Sequence, residues 1–303
     1  MPEGDTVYRQ AAALSTALVG KLLVSSDFRV PDYATLDLSG EPVESVVARG
    51  KHLLMRVGQL SIQSHLRMEG TWHVYARGAQ EGEQAGRFPR WRRPAHTARC
   101  ILTTEDQQAV GFSLGELHVL PRAEEAAALS YLGPDLLGPD WDAEEARRRL
   151  LHDQRRSIGV ALLDQRNLAG IGNVFRSEIC FLARVHPAVL VGELEGSPDG
   201  TPDRTQAAGP DGPPSDQPGV TLNRILDLAR RLLSVNSLRT RRRTTGTAGS
   251  TPDYWVYGRR GQACLRCRTR IVRAELGEED LRRRAVQDRV IYYCPSCQPA
   301  PQP

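Results

Sequence analysis

Apolar residues recur with a helical period at the start of the chain and with a two-residue period after it. The helical segment runs from Thr6 to Gly20, with Thr6 where a helix cap is expected and Gly20 where a helix ends. Its apolar residues, four, three and four positions apart, are Val7, Ala11, Leu14 and Leu18. From about residue 22 to 121 short alternating runs predict a β-sandwich or barrel. These runs are 43–48, 53–57, 60–68, 99–103, 108–113 and 116–120.

After Pro121 the pattern becomes helical and predicts a second, all-α domain. The predicted helices cover 123–133, 142–152, 157–165, 173–183 and 222–236. Residues 192–220 are rich in glycine and proline with few apolar side chains, which predicts a disordered insertion. Residues 77–94 are expected to form a mobile surface loop. That loop holds 90-RWRR-93, which could touch a phosphate backbone.

The length of 303 residues allows about two domains, and composition limits the class of protein. No run approaches the 18 or so apolar residues of a membrane span, which excludes a transmembrane protein. The acidic start of the chain lacks the features of a secretory signal, so we expect a cytoplasmic protein. Six cysteines in such a protein are not by default a disulfide framework.

Positive charge is concentrated near one end of the chain. The overall net charge is +4, but residues 221–297 alone contain 17 arginines and 7 acidic residues. Such a segment indicates a polyanionic partner, most commonly nucleic acid, although an arginine-rich solvated surface is the alternative. Of the 40 basic residues only Lys21 and Lys51 are lysines.

Four cysteines form two Cys-x2-Cys pairs. Cys264 and Cys267 are separated from Cys294 and Cys297 by 26 residues. This spacing predicts a structural zinc site with four thiolate ligands and no open position, rather than a redox pair or an unmetallated coincidence. The other two cysteines lie in apolar segments and are expected to be small core residues: Cys100 and Cys180.

Two further features carry candidate chemistry. Gly170 and Gly172 precede a helix that begins near Asn173, which favours either an anion site or an ordinary tight connection between helices. Removal of Met1 would expose the secondary amine of Pro2, a nucleophile able to form an iminium ion. The positive end of the following helix favours the neutral amine, and the next residue, Glu3, supplies a carboxyl group. The alternative is an ordinary N-terminus.

Taken together, these residues resemble the formamidopyrimidine-DNA glycosylase and endonuclease VIII superfamily, whose members excise oxidised bases from DNA. The resemblance spans nearly the whole chain, with the motifs in the family's order. They are Pro2-Glu3-Gly4, 50-GKHLL-54, 64-SHLRMEG-70, 162-LLDQRNLAGIGNVFRSEICF-181 and the four-cysteine ribbon preceded by 255-WVYGRRGQAC-264. Residues 1–7 and 132-LGPDLLGPDW-141 look like the actinobacterial branch of endonuclease VIII-like enzymes.

The resemblance implies a role for each matching residue. Pro2 would attack C1′ of the damaged nucleotide, and Glu3 would protonate the deoxyribose ring oxygen. Lys51 would contact the phosphate beside the lesion. Asn173, following Gly172, and Arg289, five residues before Cys294, would grip the DNA backbone.

A wedge that fills the space of the extruded base is implied at Met68, with Arg67 and Glu69 beside it. The alternative is that Met68 is a core residue at the end of a strand. The chain departs from the family at Thr6, where glutamate is usual. Residues 108–116 lack the arginine of the purine-specific branch, which favours excision of pyrimidines. Residues 268–289 are longer than the family ribbon and are expected to carry an inserted loop.

The resulting fold prediction is a multi-domain α+β protein. An N-terminal helix plus β-sandwich covers 1–122, and a helical domain with a helix-two-turns-helix element covers 123–250. A four-cysteine zinc ribbon covers 251–297, and 298–303 form a tail.

The resulting functional prediction is a bifunctional DNA glycosylase and abasic-site lyase of base excision repair. It would remove oxidised pyrimidines through a Schiff base at Pro2, cut by β,δ-elimination and leave a one-nucleotide gap. It would act as a monomer on duplex or single-stranded damaged DNA at the nucleoid, with one structural zinc ion and no membrane partner. The alternatives are a non-catalytic binder of abasic DNA and a zinc-ribbon protein of RNA or ribosomes.

Overall fold

Two compact units make up the chain. The computed structural model describes residues 2–78, 88–195, 221–246, 252–277, 279–280, 285–286 and 289–301. The N-terminal unit is Met1–Tyr131 and the C-terminal unit is Leu132–Pro303. Among the helices of the described ranges, none is long and apolar enough to cross a membrane.

The N-terminal unit is a helix followed by two four-stranded antiparallel sheets, which confirms the predicted β-sandwich. The sheet orders are β1-β6-β7-β5 and β2-β3-β4-β8. The elements are α1 (Gly4–Leu18), β1 (Ser25–Phe28), β2 (Val43–Arg49), β3 (His52–Val57), β4 (Leu60–His65), β5 (Thr71–Ala76), β6 (Ala98–Thr103), β7 (Gln107–Phe112), β8 (Glu116–Pro121) and α2 (Glu125–Ala128).

Helix α1 buries the apolar stripe that its sequence predicts. All four residues of the stripe are 3% exposed or less and belong to the main core of the unit. The expectation that Thr6 caps the helix is wrong: the N-cap is Glu3, whose carbonyl oxygen accepts the N–H groups of Thr6 and Val7. Gly20, at a φ of +81°, follows the helix end, where a left-handed residue favours glycine.

The sandwich core lies between the inward faces of the two sheets. Alternate strand residues contribute to it, such as Leu53 and Met55 from β3 and Cys100 and Leu102 from β6. The indole N–H of Trp72 in β5 donates to Ser64 Oγ in β4 at 3.1 Å, which joins the two sheets inside the core. Cys100 is therefore a core residue, as its apolar segment predicts.

The C-terminal unit contains the predicted helical region and a two-stranded ribbon. Its elements are α3 (Ala143–Leu151), α4 (Ile158–Ala161), α5 (Asn173–Ala183), α6 (Leu222–Ser237), β9 (Val272–Leu276), β10 (Glu279–Asp280), β11 (Ala285–Val286) and β12 (Arg289–Tyr293). Helices α3, α5 and α6 share one apolar core, and β9 pairs with β12 in antiparallel register.

Several predicted boundaries change. The helix expected over 123–133 is reduced to α2 and the one expected over 157–165 to α4, because the chain turns away from each after four residues. The insertion expected from residue 192 begins later, since Val191–Leu194 form a 3-10 helix that contributes to the core. Residues 79–87 and 196–220, and most of the loop expected in the ribbon, lie outside the described residues.

Candidate functional site

Pro2 and Glu3 stand at the N-terminal end of α1. Pro2 is half-buried and directly precedes the N-cap, and the whole Glu3 residue is buried. Because the first backbone N–H groups of a helix carry partial positive charge, this end of α1 disfavours a protonated amine beside it. The structure therefore places a candidate nucleophile and a candidate acid on adjacent residues. Met1 lies outside the described residues.

Lys51 lies at the tip of the hairpin that connects β2 with β3. Arg49 pairs with His52 across the hairpin, leaving Gly50 and Lys51 as its two-residue loop. Gly50 has a φ of +58°, a conformation that a side chain would strain. The tight turn thus fixes the start of the lysine side chain at one end of the sheet.

Two histidine rings, those of His52 and His65, lie at the base of this hairpin. His52 Nε2 lies 2.7 Å from Tyr131 Oη, its Nδ1 lies 3.1 Å from Gln63 Nε2, and its ring centroid lies 5.1 Å from that of His65. Burial lowers the pKa of His52 to about 4, and the positive charge of Lys51 adds to this. Burial also lowers the pKa of His65. At neutral pH both rings are uncharged beside Lys51.

The predicted wedge lies in a tight turn between β4 and β5. Strand β4 ends at His65 rather than continuing to residue 68, and Met68 is 63% exposed. Met68 is therefore a projecting side chain and not a strand-end core residue. His65 Nδ1 accepts the backbone N–H of Arg67 at 3.0 Å, and Arg67 forms an ion pair with Glu116.

The turn before α5 is held by one glutamine. Gln165 Nε2 donates to the carbonyl of Ile171 at 3.0 Å, and its Oε1 accepts the N–H of Gly170 at 3.0 Å. Gly172 is the N-cap of α5, and Asn173 is the first helical residue. Asn173 is half-buried, and its buried Oδ1 has no hydrogen-bond partner among the residues that the structure describes. This end of α5 combines backbone N–H groups with a side-chain amide, a suitable arrangement for an anion.

Arg289 is exposed at the start of β12 and is tied to α5 by a residue that the sequence did not single out. Arg176, one turn after Asn173, is fully buried. Its Nη2 donates to the carbonyl oxygens of Arg289 at 3.1 Å and Val290 at 2.9 Å, and its Nη1 donates to that of Gly159 at 3.2 Å. Asn173 and Arg289, the two residues predicted to bind the DNA backbone, thus lie on α5 and β12, and the guanidinium group of Arg176 joins these two elements.

Glu178, also missed from the sequence, fixes the chain that enters the ribbon. Its buried carboxylate accepts the backbone N–H groups of Trp255, Val256 and Tyr257, each at 2.9 Å, and the hydroxyl of Thr244. Burial raises the pKa of Glu178, opposed by these donors. The sequence did carry a signal for both residues, because Arg176 and Glu178 are charged and lie among the apolar residues of α5. Charged residues are seldom buried without a partner.

The four paired cysteines come together in space. Their Sγ atoms all lie within 4.8 Å of one another. Two of the separations are 3.9 Å, between Cys264 and Cys297, and 3.4 Å, between Cys267 and Cys294. Four thiolates placed tetrahedrally at the usual zinc–sulfur distance are about 3.8 Å apart. The cluster therefore fits a metal ion with four protein ligands.

Comparisons with known proteins cover the whole chain. Residues 1–113 match the formamidopyrimidine-DNA glycosylase N-terminal domain, and residues 132–197 match the formamidopyrimidine-DNA glycosylase H2TH domain. The chain is 48% identical to "Probable endonuclease 8 2" of Streptomyces coelicolor, over 100% of this chain and 96% of the relative. It is 41% identical to "DNA-(apurinic or apyrimidinic site) lyase Nei2" of Mycolicibacterium smegmatis, over 99% of this chain and 100% of the relative.

Solved structures share the fold. The Lactococcus lactis Fpg protein, solved with DNA containing an abasic site, superposes with a TM-score of 0.70 at 19% identity, over 98% of this chain and 100% of that one. The MutM protein, solved with DNA containing carbocyclic 8-oxo-G, gives a TM-score of 0.68 at 20% identity, over 99% of this chain and 100% of that one.

Proposed function

Because this chain belongs to the formamidopyrimidine-DNA glycosylase and endonuclease 8 family, we propose that it excises oxidised pyrimidines from DNA through its N-terminal proline. The protein is a DNA glycosylase and abasic-site lyase of base excision repair, and damaged DNA is its partner. We further propose that it acts at the nucleoid, as a monomer. The preference for pyrimidines rests on residues 108–116, which lack the arginine of the purine-specific branch.

The observation that carries the proposal is the position of Pro2 immediately before the N-cap of the fifteen-residue helix α1. Once Met1 is removed, the neutral amine of Pro2 attacks C1′ and the glycosidic bond breaks, its electron pair leaving with the base, which takes up the proton released from the Pro2 nitrogen. Glu3 protonates the ring oxygen as the sugar opens, which yields an iminium ion between Pro2 and C1′. Loss of a proton from C2′ then expels the 3′ phosphate, and a second elimination expels the 5′ phosphate.

Cationic and polar groups would hold the DNA for this chemistry. Lys51 binds the phosphate beside the lesion, and Asn173 with the N–H groups that follow Gly172 binds a second phosphate. Arg289 grips the backbone from the ribbon. Lys51 and Arg289 neutralise phosphate charge, so binding weakens as salt increases.

The wedge and the metal complete the proposal. Met68, projecting beside Arg67, fills the space left by the extruded base. A zinc ion held by the four clustered cysteines has no open coordination position and stabilises the ribbon. The residues of this chain do the chemistry on the sugar.

Borohydride trapping tests the proposal. The Met-processed protein is incubated with a duplex containing one abasic site, the mixture is reduced, and any covalent complex is mapped by mass spectrometry. We expect an adduct at Pro2 in the native protein and none in the variant Pro2→Gly, which still binds the duplex. Tight binding without any adduct in the native protein would instead identify a non-catalytic binder of abasic DNA.

A further inference from the structure

A second, smaller apolar cluster lies on the outer face of the sheet β1-β6-β7-β5. Strand residues alternate between the two faces, so Ile101, Val110 and Phe112 point away from the sandwich core. Phe88 and Trp91, from the segment before β6, pack over this outer cluster. The apolar outer face is thereby covered by the chain itself.

Specific contacts fix this covering segment. The indole N–H of Trp91 donates to Gln108 Oε1 at 2.8 Å, and its ring meets that of Phe112 edge-on with centroids 5.6 Å apart. The backbone N–H of Arg92 donates to Tyr75 Oη at 3.1 Å. Residues 88–94, the last part of the mobile surface loop expected over 77–94, are therefore packed against the sheet by these contacts.

Three arginines on this docked segment point into solvent. Arg90, Arg92 and Arg93 are exposed, and within the described part of the chain none of their side chains forms an ion pair or hydrogen bond. By contrast, several other exposed arginines in the described part of the chain face a carboxylate, as Arg148 faces Glu145 at 2.7 Å.

Two more arginines stack on the aromatic residues of this segment, and one of them, Arg29, also forms an ion pair with Asp27 at 2.8 Å. The guanidinium carbon of Arg29 lies 5.5 Å from the ring centroid of Trp91, and that of Arg77 lies 5.1 Å from the ring centroid of Phe88. Stacking on the aromatic rings orients these side chains along the same face. The positive charges of Arg93 and Arg92 also reach His73, whose pKa is lowered mainly by burial and further by these charges.

We propose that Arg90, Arg92 and Arg93 bind the phosphate backbone of duplex DNA outside the site of base excision. This inference rests on the proposed function, because that function supplies the nucleic-acid partner. Guanidinium groups match phosphate oxygens in geometry, and duplex DNA presents about one negative charge per 1.7 Å of axis. Since Trp91 already holds the segment in place, little backbone entropy is lost when the three side chains bind.

The test measures how salt affects the affinity for a long duplex that carries a stable abasic analogue. We expect the variant R90A/R92A/R93A to bind more weakly at low salt, with a slope of log affinity against log salt that is shallower by up to about 2.7, since each lost phosphate contact removes about 0.9. The lysine variant R90K/R92K/R93K keeps the charges and should restore the slope. The single-turnover rate at saturating protein should stay unchanged.

A matched control removes three arginines, two exposed and one half-buried, that already face carboxylates in the structure. The variant R122A/R147A/R148A loses the same formal charge from ion pairs with Glu44, Glu195 and Glu145, and should keep the native slope. An equal slope for the control and for R90A/R92A/R93A would overturn the inference. Failure of the native protein to form a trapped adduct would refute the catalytic proposal, a result that can be distinguished from this one.

Discussion

The guanidinium group of Arg176 donates a hydrogen bond to the backbone carbonyl of Arg289 at 3.1 Å. Arg176 lies one turn after Asn173 on α5, so one buried side chain fixes the start of β12 relative to the helix that carries the other predicted phosphate ligand. These contacts fix the position of β12 relative to α5, although Arg176 itself is buried away from the DNA. We therefore regard Arg176 as a positioning residue.

Replacing Arg176 with methionine should therefore weaken DNA binding as well as stability. Loss of three hydrogen bonds, one buried and two partly buried, should lower the free energy of unfolding by about 3 kcal/mol. The salt slope for an abasic-analogue duplex should become shallower by about 0.9, because Arg289 no longer meets its phosphate. Arg184→Met, at the exposed end of the same helix, is the control. A less stable protein with native affinity and slope in its folded fraction would limit Arg176 to a structural role.

Glu3→Gln should separate the two chemical steps. The backbone carbonyl of Glu3 accepts the first N–H groups of α1, so the side-chain change leaves the helix cap intact. A general acid contributes about 100-fold or more to the step that it assists. Base excision should slow by this amount while cleavage of a preformed abasic site is less affected, as measured by single-turnover assays on matched duplexes. Equal losses in both assays would contradict an acid role at the glycosidic bond.

The cysteine cluster should hold one zinc ion per chain, measured by elemental analysis of the purified protein. Binding to four thiolates contributes roughly 10 kcal/mol to folding of small zinc domains. Cys297→Ser should thus lose the metal, lower the melting temperature and weaken DNA binding through Arg289. Cys100→Ala, a substitution in the sandwich core, should keep the full zinc content. Native zinc content in Cys297→Ser would show that this residue is not a ligand.

His52 should make the protein less stable in mild acid. Its pKa is about 4 in the folded chain and 6.5 in the reference state, so the unfolded chain takes up a proton first as the pH falls. Stability is unaffected above pH 6.5 and decreases between 6.5 and 4, by about 3 kcal/mol at the lower limit. Urea unfolding of His52→Gln should show a shallower pH dependence than the native protein, whereas His96→Gln should match the native curve.

Regular periodicity made several elements predictable from the sequence. Helix α5 begins and ends at the predicted residues, and α6 extends the prediction by one residue. Both helices carry apolar side chains at the helical period. Strand β1 was missed because only one of its four side chains, that of Phe28, is buried, so its sequence shows no alternation of apolar and polar residues. The strand is defined by its pairing with β6.

Only those parts of the candidate site that depend on short spacings between residues in the sequence were predictable. The cysteine pairs and the Gly-rich turn before Asn173 are of this kind. The roles of Arg176 and Glu178 depend on carbonyl and N–H groups more than 70 residues away in the chain, which no local pattern reveals. The helix predicted over 123–133 is reduced to the four residues of α2, where Glu125 contacts Arg56 and Ser61, more than 60 residues earlier in the chain.

The turn that presents Met68 has a consequence for how this enzyme can change over generations. A Cβ atom at Gly70 would lie 2.4 Å from the carbonyl oxygen of Leu66, so Gly70 admits no replacement without moving the backbone. Met68, exposed at the tip, admits many. Inheritable variation is thereby directed to Met68, the side chain that we propose enters the DNA, and new lesion preferences can arise there without destabilising the turn beneath it.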